Sequence, residues 1–403
     1  MCPEQAKDIR AEDTRHGPLS GVRVLDLTGV VMGPWATRAL ADMGADVIKI
    51  ESADGDLLRF GTPCRHSSMS PSFLNLNRNK RSVVLDLKST QGRDTLLQLV
   101  RVSDVFVSNV RPQAMRRLGL DYDTVRRENE AIIYCGCYGF SEDGPYAGRP
   151  ALDDIIQAGC GLAWLQGYRG NEPPRYLNTI IADKVVGLHV SQAIAMALYV
   201  REKTGRGQFI EVPMFETMVT FVISEHLSGR TFVPPLGEAG YERLLNPYRK
   251  PYKTKDGYIA VVPYSDQQWT TFFEMTGRPE LITDPRYSTL FERSSRFEEL
   301  YGLIEASLGS RTTAEWAQLF SDAELPFSPV NSVDDLFDDP HLAAIGFWQT
   351  LTHPTEGPIR VAGIPTKFSE TPGSFRRHAP NLGEHSEEVL RELGVNNHQQ
   401  ETS

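Results

Sequence analysis

The chain has 403 residues, of which 40% are apolar and 23% are charged, and its formal net charge is −10. This length accommodates one large domain and a smaller one, and the composition is that of an ordinary globular protein. The negative charge, with lysine and arginine scattered along the chain, argues against nucleic acid as the main partner. No stretch reaches the roughly 18 consecutive apolar residues that a membrane span needs, so no membrane partner is expected.

The five cysteines are odd in number and irregularly spaced, which in a long chain indicates reduced thiols and a cytoplasmic location. Cys135 and Cys137 share one face of a predicted strand, but no second pair of ligands follows at zinc-like spacing, so no metal site is expected. Residues 1–17 and 396–403 are polar and are expected to be tails. The first lacks both the apolar segment of a secretion signal and the acid-poor composition of a transit peptide.

The first half of the chain alternates between strand-like and helix-like segments. A β-rich run from Gly21 to Thr28 is followed by a turn with two glycines, a helix and a strand at 46–51, which together form a βαβ unit. Strand-like runs at 83–87, 104–109 and 131–136 extend the pattern. The sequence therefore predicts an α/β fold whose large domain, residues 18–224, has a doubly wound, Rossmann-like parallel sheet. The glycine turn lacks GxGxxG spacing, which disfavours a nicotinamide dinucleotide.

The composition changes near residue 224. A Pro- and Gly-containing tract at 230–249 is predicted to be a linker, and a hairpin with its turn at Asp256 and Gly257 follows. Helical patterns then precede residues 325–330, where the chain returns. These features predict a smaller α+β domain at 225–326, after which residues 327–395 return to the large domain.

The stretch around Asp183 allows two interpretations. A short apolar run reaches this residue, and a long apolar helix, a basic turn at 203–207 and a strand follow. As an N-cap, which residue type alone favours, its carboxylate would accept N–H groups of the first helical turn. As a reactive group, it would be a carboxylate that stays ionised where water is excluded. His189, on another face of the helix, is expected to be a core residue, and Asp153 a buried cap or loop residue.

Several motifs together resemble the class III coenzyme A (CoA) transferases, a family that includes formyl-CoA transferase and carnitine CoA-transferase. These are the N-x-N-K-R-S segment at 77–82, Asp183 ahead of the KTGRGQ turn, the D-P-x-L-x-x-x-G-x-W segment at 339–348, and P-x-L-G-E-H-x-x-x-V-L-x-E-L-G at 380–394. The likeness runs from about Gly17 to Gly394. It implies a homodimer of interlocked subunits, with CoA lying across the carboxyl ends of the parallel strands.

The resemblance also implies site residues. Asp183 matches the catalytic aspartate, and Glu142 matches a carboxylate beside it. The residues implied at the CoA are Val30, Val31, Leu76, Asn77, Asn79, Lys80, Asn109, Val110, Arg117, Tyr138 and Phe140. No permanently bound cofactor is implied, because acyl-CoA and a free carboxylic acid are the substrates.

The implied reaction transfers CoA from an acyl-CoA donor to a free acid through an anhydride and a CoA thioester of Asp183. A small di- or hydroxycarboxylate is the expected acceptor, with succinyl- or acetyl-CoA as donor; the lack of a glycine run makes formate and oxalate less expected. One alternative is the related α-methylacyl-CoA racemase reaction, although Leu152 stands where racemases have an acid/base histidine. A CoA-dependent lyase or hydrolase, or a non-catalytic acyl-CoA-binding protein, would keep the same fold.

Overall fold

The computed structural model describes residues 17–168 and 172–394. The two predicted tails therefore lie outside the described residues, apart from Gly17. The chain forms two compact units. Of the described residues, the first comprises 17–162, 176–222 and 343–394, and the second comprises 163–168, 172–175 and 223–342. The sequence analysis had placed the smaller domain at 225–326.

A six-stranded parallel sheet forms the centre of the first unit. Its strands are β1 (Arg23–Leu27), β2 (Asp46–Glu51), β3 (Lys80–Val84), β4 (Val105–Ser108), β5 (Ile133–Tyr138) and β6 (Phe209–Pro213). They lie in the order β3-β2-β1-β4-β5-β6, which is the doubly wound, Rossmann-like arrangement, so the predicted fold class is confirmed. Ligands of such sheets bind beyond the carboxyl ends of the strands, which defines one edge as the place to look for a site.

Helices connect and flank these strands, and two of the helices extend into the second unit. In chain order they are α1 (Met32–Asp42), α2 (Pro71–Leu76), α3 (Thr90–Arg101), α4 (Pro112–Leu118), α5 (Tyr122–Glu128), α6 (Asp153–Gly159), α7 (Leu162–Tyr168), α8 (Ile181–Thr204) and α9 (Met214–His226). α7 apart from Leu162, and α9 from Ile223 onward, belong to the second unit. Two of them pack closely: Gly187 of α8 lies against the first turn of α1, where an added Cβ atom would be only 2.7 Å from the carbonyl oxygen of Met32. A larger side chain at 187 would force these two helices apart.

The second unit combines short helices with a small antiparallel sheet. Its elements are α10 (Glu242–Leu245), β7 (Tyr252–Lys253), β8 (Tyr258–Val261), α11 (Asp266–Met275), α12 (Leu290–Ser294), α13 (Phe297–Leu308), α14 (Thr313–Asp322) and β9 (Phe327–Pro329). The sheet has the order β7-β8-β9, and its core includes the buried rings of Trp269, Phe272, Trp316 and Phe320. The predicted turn at Asp256 and Gly257 connects β7 to β8.

The last described residues return to the first unit. They contain α15 (Pro340–Ala344), an antiparallel pair β10 (Trp348–His353) and β11 (Gly357–Ala362), and α16 (Ser386–Glu392). The backbone N–H of His385 donates to the carbonyl oxygen of Ser82 (2.9 Å), and Arg81 forms an ion pair with Glu388 (2.9 Å). The C-terminal segment thus packs against strand β3.

A network of buried charges connects β1, β2 and β3, the first three strands of the sheet in chain order. Lys80 on β3 donates to Asp26 on β1 (3.0 Å), and Lys49 on β2 pairs with Asp56 (2.8 Å) and donates to the carbonyl oxygen of Thr28 (2.7 Å). All four charged side chains are buried. Burial alone would raise the pKa of Asp26, but the charges of Lys80 and Lys49 outweigh it and lower this pKa to about 2.

We expect Asp26→Asn to destabilise the fold by about 3–5 kcal/mol, because it leaves buried lysine charge without its partner. The midpoint of urea unfolding at pH 7 measures the effect. Glu128→Gln is the matched control: it removes a carboxylate whose partner, Arg101, is exposed, and should cost less than about 1 kcal/mol. Equal, small shifts for both variants would show that the buried network does not determine stability.

Candidate active site

Helix α8 brings Asp183 to the carboxyl edge of the sheet. Arg201, near the other end of this helix, pairs with Asp104 (2.8 Å), which directly precedes β4 and so lies at the amino edge. At 1.5 Å per residue, Asp183 lies about 27 Å further along the helix, which is longer than the strands. Gly187, one turn after Asp183, contacts the first turn of α1, the helix that follows β1. Asp183 is therefore close to the turn at 29–31.

Asp183 does not cap its helix. The N-cap position is Ile180, which makes no side-chain capping bond, and Asp183 is the third residue of α8. The cap interpretation was wrong because the helix begins two residues before the aspartate. The side chain is half-buried, and within residues 17–168 and 172–394 its carboxylate has no hydrogen-bond or ion-pair partner. A carboxylate in this state is available to react.

A second buried acid anchors the start of α8. Asp153, the first residue of α6, accepts a hydrogen bond from the backbone N–H of Asp183 through Oδ1 (3.1 Å). Its Oδ2 accepts one from Nε2 of Gln157 (2.6 Å), and Gln157 Oε1 accepts the N–H of Leu177 (3.0 Å). Asp153 is thus a buried cap, as the sequence analysis expected, but it caps α8 and not its own helix.

The surroundings of Asp183 change its acidity. Burial of the side chain, followed by the negative charge of Asp153, raises the pKa of Asp183 to about 7. The expectation that this carboxylate stays ionised through the helix terminus is therefore wrong, because burial and a like charge outweigh the helix dipole. At neutral pH, a substantial fraction of Asp183 carries a proton.

The outer face of α8 is uncovered in the single chain. His189 is exposed, as are the larger apolar side chains of Leu188 (55%), Met196 (59%) and Tyr199 (65%). The prediction of a core histidine was wrong, since only the face of α8 that packs on α1 and the sheet is buried. By length and composition alone, α8 could cross a membrane, but core helices of soluble proteins meet the same criterion.

Part of the predicted CoA site is assembled at the carboxyl edge. Val30 has a positive φ of 67° and is exposed, and its N–H donates to Asp56 (3.1 Å). Asn109, after β4, exchanges two hydrogen bonds with the backbone of Gly29 (2.9 and 3.1 Å). Val110 is half-buried beside it, and Arg117 on α4 is exposed and forms no ion pair with any described residue. Val31, the N-cap of α1, is buried.

Four of the predicted CoA contacts lie elsewhere. Leu76, Asn77, Asn79 and Lys80 precede or begin β3, at the amino end of the strand, and all four side chains are buried. Lys80 donates to Asp26 and Asn77, whereas Asn79 bonds Asp42 (2.8 Å) and the backbone at 374–377. Their polar groups are satisfied by the protein, so the structure gives these residues a supporting place in the fold and not a surface that faces a ligand.

The end of β5 and the loop after it carry the other three predicted residues. Tyr138 is buried, and the ring of Phe140 packs edge-on against that of Tyr146 (5.4 Å). The backbone N–H of Glu142 donates to Glu211 (2.9 Å), and the carboxylate of Glu142 accepts the N–H of Gly148 (3.0 Å). Glu142 and Tyr138 line a cavity of about 280 Å³. Among the described residues no hydrogen bond joins Glu142 to Asp183, and the charge that acts on Asp183, after the effect of burial, is that of Asp153.

Comparisons with known proteins decide the family. The sequence model of "CoA-transferase family III" matches residues 19–386. The chain belongs to this family. As a class III CoA-transferase it uses CoA thioesters and carboxylic acids as substrates. It is 34% identical to the mouse succinyl-CoA:glutarate CoA-transferase over 381 residues, which cover 93% of this chain and 86% of that protein. It is also 34% identical to the formyl-CoA:oxalate CoA-transferase of Streptomyces coelicolor, over 94% of this chain and 95% of the relative.

Solved structures agree with this membership. A CAIB/BAIF family protein from Brucella suis superposes with a TM-score of 0.78 at 29% identity, covering 94% of this chain and 100% of that one. Rv3272 from Mycobacterium tuberculosis gives a TM-score of 0.79 at 29% identity, covering 93% of this chain and 100% of the other. The doubly wound sheet described above is therefore shared with experimentally determined structures.

The raised pKa of Asp183 predicts how its removal changes stability with pH. Between the unfolded pKa near 3.8 and about 7, the native state binds more protons than the unfolded state, so this group makes folding less favourable as pH rises through that window. Asp183→Asn should therefore be more stable than wild type by about 1–3 kcal/mol at pH 8, with a much smaller difference at pH 5. Urea midpoints at both pH values measure this.

Asp123→Asn, at an exposed position on α5, controls for the loss of one negative charge from the chain. A stability difference between wild type and Asp183→Asn that is equal at pH 5 and pH 8 would contradict the raised pKa.

Proposed function

We propose that this protein transfers CoA from succinyl-CoA to a second small dicarboxylic or hydroxydicarboxylic acid, with Asp183 as the covalent carrier. The observation that carries the proposal is the half-buried Asp183 carboxylate, without a protein partner among the described residues, at the edge of the sheet where Asn109 is bonded to the turn that contains Val30. The names of similar enzymes support the substrate class: glutarate, L-malate, mesaconate and oxalate are all dicarboxylic or hydroxydicarboxylic acids, and succinyl-CoA or succinate recurs as the other partner.

The first half of the reaction moves CoA onto the protein. A carboxylate oxygen of Asp183 attacks the thioester carbonyl of the donor, the C–S bond breaks, and CoA leaves as a thiolate. The product is a mixed anhydride between succinate and Asp183. The thiolate then attacks the Asp183 carbonyl carbon, which releases succinate and leaves a thioester between Asp183 and CoA.

The second half runs in the opposite sense with a new acid. The acceptor carboxylate attacks the Asp183 carbonyl carbon and displaces the thiolate, giving a second anhydride. The thiolate attacks the acceptor side of this anhydride, which forms the new acyl-CoA and returns the Asp183 carboxylate. Electrons and atoms balance without any redox step, and each anhydride has to be kept from water.

The surroundings of Asp183 suit a nucleophile. A carboxylate stabilised by cations or several hydrogen bonds attacks poorly, whereas the Asp183 carboxylate has neither among the described residues. The neighbouring cation, Lys184, donates instead to the hydroxyl of Thr179 (2.8 Å). Partial burial of the side chain also limits the water that could hydrolyse an acylated aspartate.

The carboxyl edge suits the CoA moiety. The exposed guanidinium of Arg117, with no ion-pair partner among the described residues, offers a phosphate a charge-assisted contact. Val30 and the neighbouring Val110 offer apolar contact beside the backbone of the turn at 29–31. These residues form the part of the predicted CoA site that the proposal keeps as direct contacts.

The proposal extends to a cytoplasmic homodimer of interlocked subunits. Support comes from the exposed apolar side chains of Leu188, Met196 and Tyr199, which a second subunit would remove from water. The measurement is the solution mass, with twice the chain mass of 45.1 kDa expected.

We expect acyl-CoA to label Asp183 covalently. Wild type incubated with succinyl-CoA and trapped with hydroxylamine or borohydride should yield a modified peptide containing Asp183 by mass spectrometry. Asp183→Ala should show no label and lose at least about 1,000-fold of the transfer rate, since the carrier is gone. Asp123→Asn serves as the matched control and should label as wild type does.

The racemase reaction would give the opposite result. Absence of any adduct with a panel of acyl-CoAs, together with solvent deuterium entering the α-carbon of a 2-methylacyl-CoA, would overturn covalent transfer in favour of the racemase reaction.

We expect Arg117→Ala to raise the KM for succinyl-CoA by about tenfold while kcat changes little, because a phosphate contact is made equally in the ground and transition states. Arg126→Ala, an exposed arginine on α5, is the matched control for loss of positive charge. An unchanged KM in Arg117→Ala, or an equal rise in both variants, would remove Arg117 from the CoA site.

A further inference from the structure

The placement of Asp153 beside Asp183 calls for a functional explanation. Its side chain is buried and bridges two helices, from the first position of α6 to the first turn of α8. Serine or asparagine would cap α8 through the same kind of bond without a charge. Asp153 instead places a negative charge beside a second carboxylate, and no cation forms an ion pair with either acid among the described residues.

Such an arrangement does not favour stability. Burial of Asp183 first, and then repulsion from the negative charge of Asp153, disfavour the ionised form of Asp183 and raise its pKa. The repulsion is retained although the hydrogen-bond network around Asp153 is well formed. Gln157 holds the carboxylate by its Nε2 (2.6 Å), and its Oε1 is fixed by the N–H of Leu177 (3.0 Å). The orientation of Asp153 is thus locked.

We propose that Asp153 is a positioning residue for the transfer reaction: it holds the backbone of Asp183 in place and supplies the negative charge that keeps the Asp183 carboxylate reactive, with Gln157 fixing its orientation. This inference rests on the proposed role of Asp183 as nucleophile. During attack, charge leaves Asp183 for the thioester oxygen and then for the departing thiolate. Repulsion from Asp153 therefore falls as the reaction proceeds, which lowers the barrier relative to the ground state.

Other ionisable groups near α8 do not supply this charge. The elements packed against α8 are α1, α6, β5 and β6. Their ionisable side chains are Arg38 and Asp42 on α1, Asp153 and Asp154 on α6, Tyr134, Cys135, Cys137 and Tyr138 on β5, and Glu211 on β6. On α8 itself, Lys184 is the next residue, and it is bonded to Thr179. Of all these groups, only Asp153 contributes its charge to the acidity of Asp183.

The test separates the charge from the hydrogen bonds. Asp153→Asn removes the charge and keeps an oxygen for the Asp183 N–H, but its amide then faces the amide of Gln157. The double variant Asp153→Asn with Gln157→Glu restores complementary donors and acceptors between these two side chains and keeps an oxygen for the N–H of Leu177. It loses the longer bond from Gln157 Nε2 to the carbonyl oxygen of Thr179 (3.3 Å) and moves the charge one side chain further from Asp183. Both are compared with wild type in the pH dependence of Asp183 labelling by succinyl-CoA.

We expect Asp153→Asn to move the acid limb of the labelling rate down by about one pH unit and to lower the plateau rate about tenfold. The double variant should recover the plateau in part, while its acid limb stays below that of wild type. If the limb keeps its wild-type position in both variants, Asp153 is only a structural cap and the inference is overturned.

A second readout does not depend on turnover. Urea midpoints from pH 4 to 8 give the stability difference between wild type and Asp183→Asn at each pH. The pH range over which this difference changes should move to lower pH when both proteins also carry Asp153→Asn. If wild type forms no adduct but this coupling is found, the proposed function fails while the charge effect stands. If adducts form and the coupling is absent, the inference about Asp153 fails alone.

Discussion

The network of buried charged side chains around Asp26 is the constraint on which the rest of the first unit depends. Asp26, Lys49 and Lys80 come from three neighbouring strands, and Asp56 completes the set from the loop after β2. Removing any member leaves an uncompensated charge, so the three strands and this loop have to be assembled together. The network also reaches the ligand edge, because Lys49 bonds the carbonyl of Thr28 and Asp56 bonds the N–H of Val30. These two bonds hold the turn at 29–31, and with it the start of α1, in place.

The surroundings of Asp26 and Asp183 shift the pKa values of these two carboxyl groups in opposite directions. Asp26 is surrounded by lysines and hydroxyl donors, and its pKa falls to about 2. Asp183 is instead partly buried and lies beside the negative charge of Asp153, and its pKa rises to about 7. The first arrangement stabilises an ionised carboxylate that has a structural role. The second leaves a carboxylate poorly stabilised, which is typical of groups that react and not of groups that support a fold.

The sequence sufficed for the order of strands and helices, since the βαβ pattern and the apolar runs are local properties. The sequence did not suffice where residues far apart in the chain determine the position or the acidity of a side chain. The sequence analysis began this strand at residue 83 and placed Lys80 at the CoA by resemblance, yet Lys80 and Arg81 begin β3, because Asp26 and Glu388 neutralise them from far along the chain. The family likeness found Asp183, but its acidity depends on Asp153, 30 residues earlier. The spacing of Asp153 and Gln157, i and i+4 on one helix, was the available signal for that pair.

The division of the chain has a consequence for how such an enzyme can diversify. Every residue assigned a part in the chemistry or in CoA contact lies outside 163–175 and 223–342, the ranges that form the second unit. These two ranges interrupt the first unit, so recombination or successive point substitutions can exchange them without altering the codons for Asp153, Asp183 or Arg117. Genes in which these two ranges differ can therefore keep the codons of one unchanged reaction centre.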